Sequence, residues 1–164
     1  MHPSSYTSVL TQLGEMPAFL QQSLAGMPID ILVRQPSEDK SPLIEHLWHV
    51  RDCDFELYGL RIRKVLHEET PTLEPVDVGE WVETRNYPLR NGDQAIDEFR
   101  AYRVNLIAEL AILTSDQLAR TGIRADMSEI NVMEIIEQLA AHDRDHRWRI
   151  VRIVRTYLLG NSDA

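Results

Sequence analysis

Two close pairs of histidines give this 164-residue sequence its clearest chemical signal. His46 and His49 are three residues apart, and His142 and His146 are four residues apart. On a helix, side chains at these spacings are neighbours on one face. Two neighbouring imidazoles can bind the same transition-metal ion at roughly 2 Å, so each pair is a candidate source of metal ligands.

The second pair falls on an apolar stripe that should face a protein core. His142 follows Leu139 by three residues, and His146 precedes Ile150 by four. Buried imidazoles need polar partners, which either a metal ion or mutual hydrogen bonds and water would provide. A bound metal would need a third ligand from the other pair. Three imidazoles leave an open position, which is typical of catalytic sites.

Two other metal motifs are excluded by the sequence. Di-iron bundles use Glu-x-x-His on two helices, but neither Glu45 nor Glu137 has a histidine three residues later. The zincin motif is His-Glu-x-x-His, whereas the second position here is Asp143. A mononuclear site built from histidines is therefore the metal centre that the sequence favours.

Helical periodicity predicts the elements that would position these histidines. Apolar residues recur at three- and four-residue steps in four long segments, separated by proline, glycine and capping residues. The predicted helices cover residues 5–24, 41–66, 93–113 and 131 onward to a stop at Gly160 and Asn161. Gly14 and Pro17 predict a break or kink in the first helix. One short turn is expected at 29–33.

Capping residues predict where three of these helices begin. Ser41 followed by Pro42 is a favourable start for the second helix, and Asp93 is the expected cap of the third. Asn131 with Glu134 forms a capping-box pattern at the start of the last helix.

The fold expected from these segments is an all-α four-helix bundle in a single domain, residues 1–164. No run of alternating apolar and polar residues is present, and the segments 68–81 and 122–130 are predicted to be irregular. We therefore expect no strands, and a sheet of three or more strands would contradict the prediction. The middle of the second helix should lie beside the middle of the last.

Composition limits the classes of function. The chain is 43% hydrophobic and 26% charged, with a net charge of −9, which argues against general nucleic-acid binding. Its single cysteine, Cys53, excludes an internal disulfide framework and is expected to pack in the core. No signal peptide and no apolar run of roughly 20 residues is visible, so we expect a cytoplasmic protein without a membrane span.

Three segments resemble the DinB/YfiT-like superfamily of small four-helix metalloproteins. They are EHLWHVRDCDF at 45–55, the acidic proline-containing loop EETPTLEPVDVGEW at 68–81, and LAAHDRDHRWRI at 139–150. Their order and spacing agree with the family from the first helix to about residue 158, although the first forty residues match in pattern only.

The resemblance implies a metal triad of His49, His142 and His146. His49 is preferred to His46 because the family ligand precedes an apolar residue and then an acid two positions on, as in HVRD. His46 is then expected to stand aside, behind the ligands or at the surface. Zinc or nickel is the metal that three imidazoles favour. One departure is the acidic pair flanking Arg144 between the last two ligands, where several members have further histidines.

Family members include transferases that attach low-molecular-weight thiols such as bacillithiol or mycothiol to electrophiles, and metal-dependent hydrolases or isomerases of thiol conjugates. The resemblance therefore implies a metal-dependent thiol S-transferase or hydrolase with a small-molecule substrate. These chemistries share a metal that lowers the pKa of a bound thiol or water. The alternative is a non-catalytic metal-binding or structural bundle that forms a homodimer.

Three charged residues are further candidates for the site. Asp52 lies three residues after His49 and could accept a hydrogen bond from an imidazole or act as a general base. The alternative is a solvated acid or an ion pair. Asp143 is a second candidate base, expected at the rim of the site. Arg147 belongs to a group of five arginines on the last helix and could bind an anionic thiol, although such cations also complement a helix C-terminus.

A homodimer is predicted from two aromatic residues of the long loop. Trp81 and Tyr87 look exposed in the sequence, and bundles of this family are often dimers. We expect a two-fold dimer that uses helix faces.

Overall fold

Four long helical segments dominate the computed structural model, which describes residues 3–36 and 41–158. The helices, in chain order, are α1 (Pro3–Leu24), α2 (Ile29–Leu32), α3 (Leu43–Asp52), α4 (Gly59–His67), α5 (Trp81–Thr84), α6 (Gly92–Ala111), α7 (Ser115–Leu118) and α8 (Val132–Leu158). A π-helical segment, Cys53–Tyr58, joins α3 to α4, and a 3-10 turn covers Tyr87–Leu89. The predicted all-α four-helix bundle is confirmed.

The core lies between these four segments. Helix α1 packs on α6 and α8, and α3 packs on the same two helices from the other side. Trp48, Phe99 and Leu139 are among the side chains that are fully buried there. The apolar stripe predicted for α8 faces this core, and His146 is buried with it. Within the described residues, no helix is long and apolar enough to cross a membrane.

The expectation of no strands is wrong, because a small sheet covers one end of the bundle. Its strands are β1 (Thr72–Leu73), β2 (Thr121–Arg124) and β3 (Glu129–Asn131). Strand β1 pairs parallel to β2, and β2 pairs antiparallel to β3 with Gly122 opposite Ile130. Strands of two to four residues hold too few side chains for alternation to be detected in a sequence. With three strands, the sheet contradicts the expectation of an entirely helical domain, but the mostly helical four-helix bundle remains.

The predicted helix starts are only partly correct. Pro42 occupies the position before α3 and makes no side-chain cap, so Ser41 is not the cap. Asn91 rather than Asp93 caps α6, since its Oδ1 accepts from the amide of Gln94 at 3.0 Å. The capping box before α8 is confirmed, because Asn131 and Glu134 bond each other's backbone amides at 2.8 Å. The predicted stop of α8 at 160–161 lies outside the described residues.

Helix α1 continues through Pro17 without the predicted break. Proline has no N–H, so the carbonyl of Leu13, four residues earlier, loses its helical donor. That carbonyl instead accepts a hydrogen bond from Nη1 of Arg103 at 3.0 Å. A side chain of α6 thus replaces the missing backbone donor.

The loop aromatics that suggested a dimer are buried, so the expectation of exposure is wrong. Tyr87 is fully buried and Trp81 is 8% exposed, and both belong to the core. The Tyr87 hydroxyl donates to Asp52 at 2.7 Å, and the Arg85 guanidinium lies over the Trp81 ring. The long loop therefore folds back on the bundle.

Candidate metal centre

Four histidines meet where the middle of α3 faces the middle of α8, as the sequence predicted. Nδ1 of His46 lies 2.9 Å from Nδ1 of His146. Nε2 of His49 lies 3.1 Å from Nε2 of His142. In each pair one nitrogen must carry a proton and the other must accept it, so at least one imidazole of each pair is neutral.

The three imidazoles of the predicted triad are mutual neighbours. The ring centre of His49 lies 4.8 Å from that of His146 and 5.2 Å from that of His142, and the last two are 4.4 Å apart. His46 is 5% exposed and pairs with His146, so it lies behind the triad and not at the surface. Among the described residues, the three ligand atoms that all lie within 4.8 Å of one another belong to His49, Cys53 and His142 and not to His146. Metal ligation by the triad therefore stays a prediction.

Cys53 is a further donor that sequence analysis assigned to core packing. Its Sγ lies 3.4 Å from Nε2 of His49. The ligand atoms of His49, Cys53 and His142 all lie within 4.8 Å of one another. The four-residue spacing from His49 to Cys53 was the available signal, since it places both side chains on one helical face.

Burial keeps all four imidazoles neutral in the metal-free protein. Burial, followed by the positive charge of Arg149, lowers the pKa of His46 to about 4. Burial and the neighbouring His49 lower the pKa of His142 to about 3. The pKa values of His49 and His146 are also lowered, mainly by burial. Neutral imidazole is the form that binds metals, so the cluster is held in its ligating state.

These pKa shifts predict that metal-free protein loses stability in acid. Between about pH 6.5 and pH 4, the unfolded chain binds protons that the folded cluster excludes, so the free energy of unfolding falls as pH decreases through this window. Urea unfolding with chelator at pH 7, 6 and 5 measures the slope. A His46→Gln/His142→Gln variant should show a shallower fall, and equal slopes would contradict the assignment.

Asp143 lies in the protein interior and not at the rim where we expected it. It is 5% exposed, and both of its oxygens accept hydrogen bonds from Arg103. Arg103 also binds Asp54 through two parallel bonds of 2.7 Å. Because Asp54 follows Cys53 and Asp143 follows His142, this buried ion triad fastens the two histidine-bearing segments together.

Asp52 forms ion pairs, which is one of the alternatives that the sequence left open. It is fully buried, and its oxygens accept hydrogen bonds from Arg51, Arg85 and Tyr87 at 2.6–2.7 Å. Among the described residues, no hydrogen bond joins it to a histidine. Its contacts attach the long loop to α3, and its role as a general base stays a prediction, as does that of Asp143.

Arg147, the predicted anion-binding residue, points to α1. Its Nη1 lies 3.2 Å from Oε2 of Glu15, and its guanidinium lies over the ring of Phe19. By contrast, Arg149 and Arg152 border a cleft that reaches His46. The five-arginine pattern could not show which of its members share the histidine face.

A four-helix bundle with histidines from two helices in contact is the architecture that the resemblance to the DinB/YfiT-like superfamily implied. The chain belongs to the DinB superfamily, since the family model DinB_2 matches residues 12–150. The resemblance found in the sequence is thereby confirmed.

The solved structure of YfiT from Bacillus subtilis has the same fold. It matches with a TM-score of 0.87 and 21% sequence identity, covering 96% of this chain and 90% of that chain. YfiT is described as a probable metal-dependent hydrolase with an unusual four-helix bundle topology. A search of curated proteins finds no significant match.

Proposed function

We propose that this protein is a divalent-metal-dependent enzyme of the thiol S-transferase or hydrolase type. The observation that carries the proposal is the buried cluster of neutral imidazoles from α3 and α8. Burying several imidazoles in a bundle core costs free energy that apolar side chains would not. Buried titratable groups with shifted pKa values are typical of functional sites. The description of YfiT as a probable metal-dependent hydrolase supports the same reading.

The donor atoms fit a tetrahedral ion. Two nitrogen or sulfur ligands of zinc at its usual bond lengths are separated by roughly 3.3–3.6 Å. The Nε2 atoms of His49 and His142, two of the proposed ligands, are 3.1 Å apart, which is slightly less than this separation. In addition, Nδ1 of His142 is buried and has no hydrogen-bond partner among the described residues. These donors favour zinc or nickel.

His49, His142 and His146 would hold the ion, and His46 would hold His146 in place. The Nδ1 contact between His46 and His146 leaves Nε2 of His146 as its ligand atom. Such a partner fixes the tautomer and ring orientation of a metal ligand. A divalent ion held by these residues would lower the pKa of a bound water or thiol and so would provide an anionic nucleophile at neutral pH.

Turnover tests the proposed activity. Metal-free protein, reloaded with zinc or nickel, would be assayed with a panel of low-molecular-weight thiols and electrophiles, and with thiol conjugates as substrates of hydrolysis. We expect activity with at least one pair, dependent on metal and lost in His49→Ala. Full metal occupancy without turnover on any substrate would favour the non-catalytic alternative.

The position of Cys53 allows an experiment that distinguishes the enzyme from a non-catalytic metal-binding protein. A fourth protein ligand would close the tetrahedral shell, as in structural zinc sites, whereas an enzyme keeps one position open. Burial, together with Asp54 and Asp52, raises the pKa of the Cys53 thiol and resists its ionisation. Because the proposed enzyme keeps one position open, we expect cobalt-loaded protein to show no thiolate-to-cobalt charge-transfer band, and Cys53→Ala to retain its metal.

The opposite spectrum would assign Cys53 as a ligand. A near-ultraviolet band in cobalt-loaded wild-type protein, absent from Cys53→Ala, would favour the closed, non-catalytic site. Cys53→Ser is the matched control, because it keeps a polar side chain of similar size but lacks the thiolate. Cobalt content, measured separately, shows whether metal is bound at all.

The homodimer and the cytoplasmic location are parts of this proposal. With Trp81 and Tyr87 buried, the dimer must use another surface. We expect sedimentation at micromolar concentration to give a two-fold dimer, and a clean monomer would contradict it. A reducing cytoplasm would keep Cys53 as the free thiol that the structure shows.

A further inference from the structure

A cleft of about 270 Å³ opens beside the histidine cluster. His46 lines it together with residues of α8 that include Trp148, Arg149 and Arg152. Because His46 contacts His146, the cleft reaches the cluster at the imidazole that lies behind the proposed ligands. Its volume is near the lower end of the roughly 300–1,000 Å³ of small-molecule sites, so it suits a small ligand and not a polymer.

Two guanidinium groups give this cleft a positive charge in an acidic protein. The chain has a net charge of −9. Arg149 forms an ion pair with Asp145, whose Oδ2 lies 2.9 Å from its Nε. In the part of the chain that the structure describes, no carboxylate lies within 4.0 Å of the Arg152 guanidinium, which rests over the Trp148 ring.

The positive charge of Arg149 also reaches the histidines. After burial, it contributes to the lowered pKa of His46 and, with other neighbours, to those of His49, His142 and His146. An anion held at Arg149 and Arg152 would therefore lie within electrostatic range of the proposed metal.

We propose that this cleft binds the carboxylate of a small-molecule substrate, with Arg152 as the principal partner and Arg149 as the second. Guanidinium groups bind carboxylates through paired, charge-assisted hydrogen bonds. The remainder of the ligand would extend along His46 toward the cluster. The orientation of the ligand's reacting group toward the cluster rests on the proposed metal-dependent function. Binding of the carboxylate by the two arginines does not depend on that function.

Other arginines of α8 provide matched controls on different faces. Arg147 pairs with Glu15 on α1. Arg155 borders a separate apolar depression with Ile150 and Val154. Both are exposed cations of the same helix, so their replacement changes the net charge equally without changing the cleft.

The experiment compares 3-mercaptopropionate with 3-mercapto-1-propanol, in which a neutral hydroxymethyl group replaces the carboxylate. Binding is measured by calorimetry and by fluorescence of Trp148, the exposed tryptophan at the cleft, in metal-free and in zinc-loaded protein. We expect the carboxylate to bind about tenfold more tightly than the alcohol, with a preference that weakens as salt rises. Arg152→Gln should abolish the preference and Arg149→Gln should reduce it, while Arg147→Gln and Arg155→Gln should preserve it.

Two results would overturn the proposal. One is equal binding of the two probes by wild-type protein, and the other is an equal loss of preference in Arg147→Gln and Arg152→Gln. The metal-free arm separates this inference from the proposed function. If the protein prefers the carboxylate but takes up no zinc, the carboxylate site is supported and the proposed metal-dependent function is wrong. If it binds zinc but shows no preference, the carboxylate site is wrong and the proposed function is unaffected.

Discussion

Replacing His142 with alanine should remove most of the metal from the purified protein. Its Nε2 is 3.1 Å from that of His49, so the variant removes a donor from the centre of the cluster. The neighbouring rings cannot replace it, because His146 and His49 are the other members of the same ligand set. Elemental analysis of protein purified without a histidine tag measures the metal-to-protein ratio.

His46→Ala is the matched control, since it also removes a buried imidazole from the cluster. His46 contacts His146 and is not assigned as a ligand. Loss of such a supporting partner lowers metal affinity by about 10–100-fold, which saturating metal overcomes. His46→Ala should therefore retain most of its metal. If both variants keep full occupancy, the histidines are packing residues and the proposed function is wrong.

Acid should weaken metal binding in the wild-type protein. The ligating form of each imidazole is neutral, and protons compete with the ion for the same nitrogen atoms. The low pKa values of His46 and His142 extend the neutral state of the cluster to lower pH than is usual for histidine. The metal-to-protein ratio should thus persist below pH 6 and fall as the pH approaches 4.

Much of the fold was predictable because long helices repeat their pattern over many residues. The stripe of α8 spans its whole length, so it placed His142 and His146 on the core side correctly. Short elements offer no such repetition, and β1 consists of only two residues. Helix starts depend on one residue each, which explains why the cap of α6 was misplaced by two positions.

The histidines of the site were predictable, but the charges that support them were not. Arg103 follows Phe99 by four residues and so shares the apolar stripe of α6, which was a usable signal. Only the fold shows that Arg103 meets Asp54 and Asp143, which lie 49 and 40 residues away in the chain.

Replacing Arg103 with methionine should destabilise the protein by about 3–5 kcal/mol, the usual cost of breaking a buried ion pair. Arg103 is fully buried, and its loss leaves the carboxylates of Asp54 and Asp143 without their cation. Burial already raises the pKa of Asp54 to about 6 against the opposing charge of Arg103. The Leu13 carbonyl, which Pro17 deprives of a helical donor, would also lose its partner.

Urea unfolding of metal-free protein measures this effect, with Arg63→Met as the matched control. Arg63 pairs with Glu109 at the surface, and exposed pairs contribute only about 0.2–1 kcal/mol. Adding Asp54→Asn and Asp143→Asn to Arg103→Met should restore part of the lost stability, because it removes the unpaired charges. A loss no larger than that of Arg63→Met would show that water reaches the triad. Because Asp54 and Asp143 adjoin Cys53 and His142, Arg103→Met should also weaken metal binding, which a purely local defect would not do.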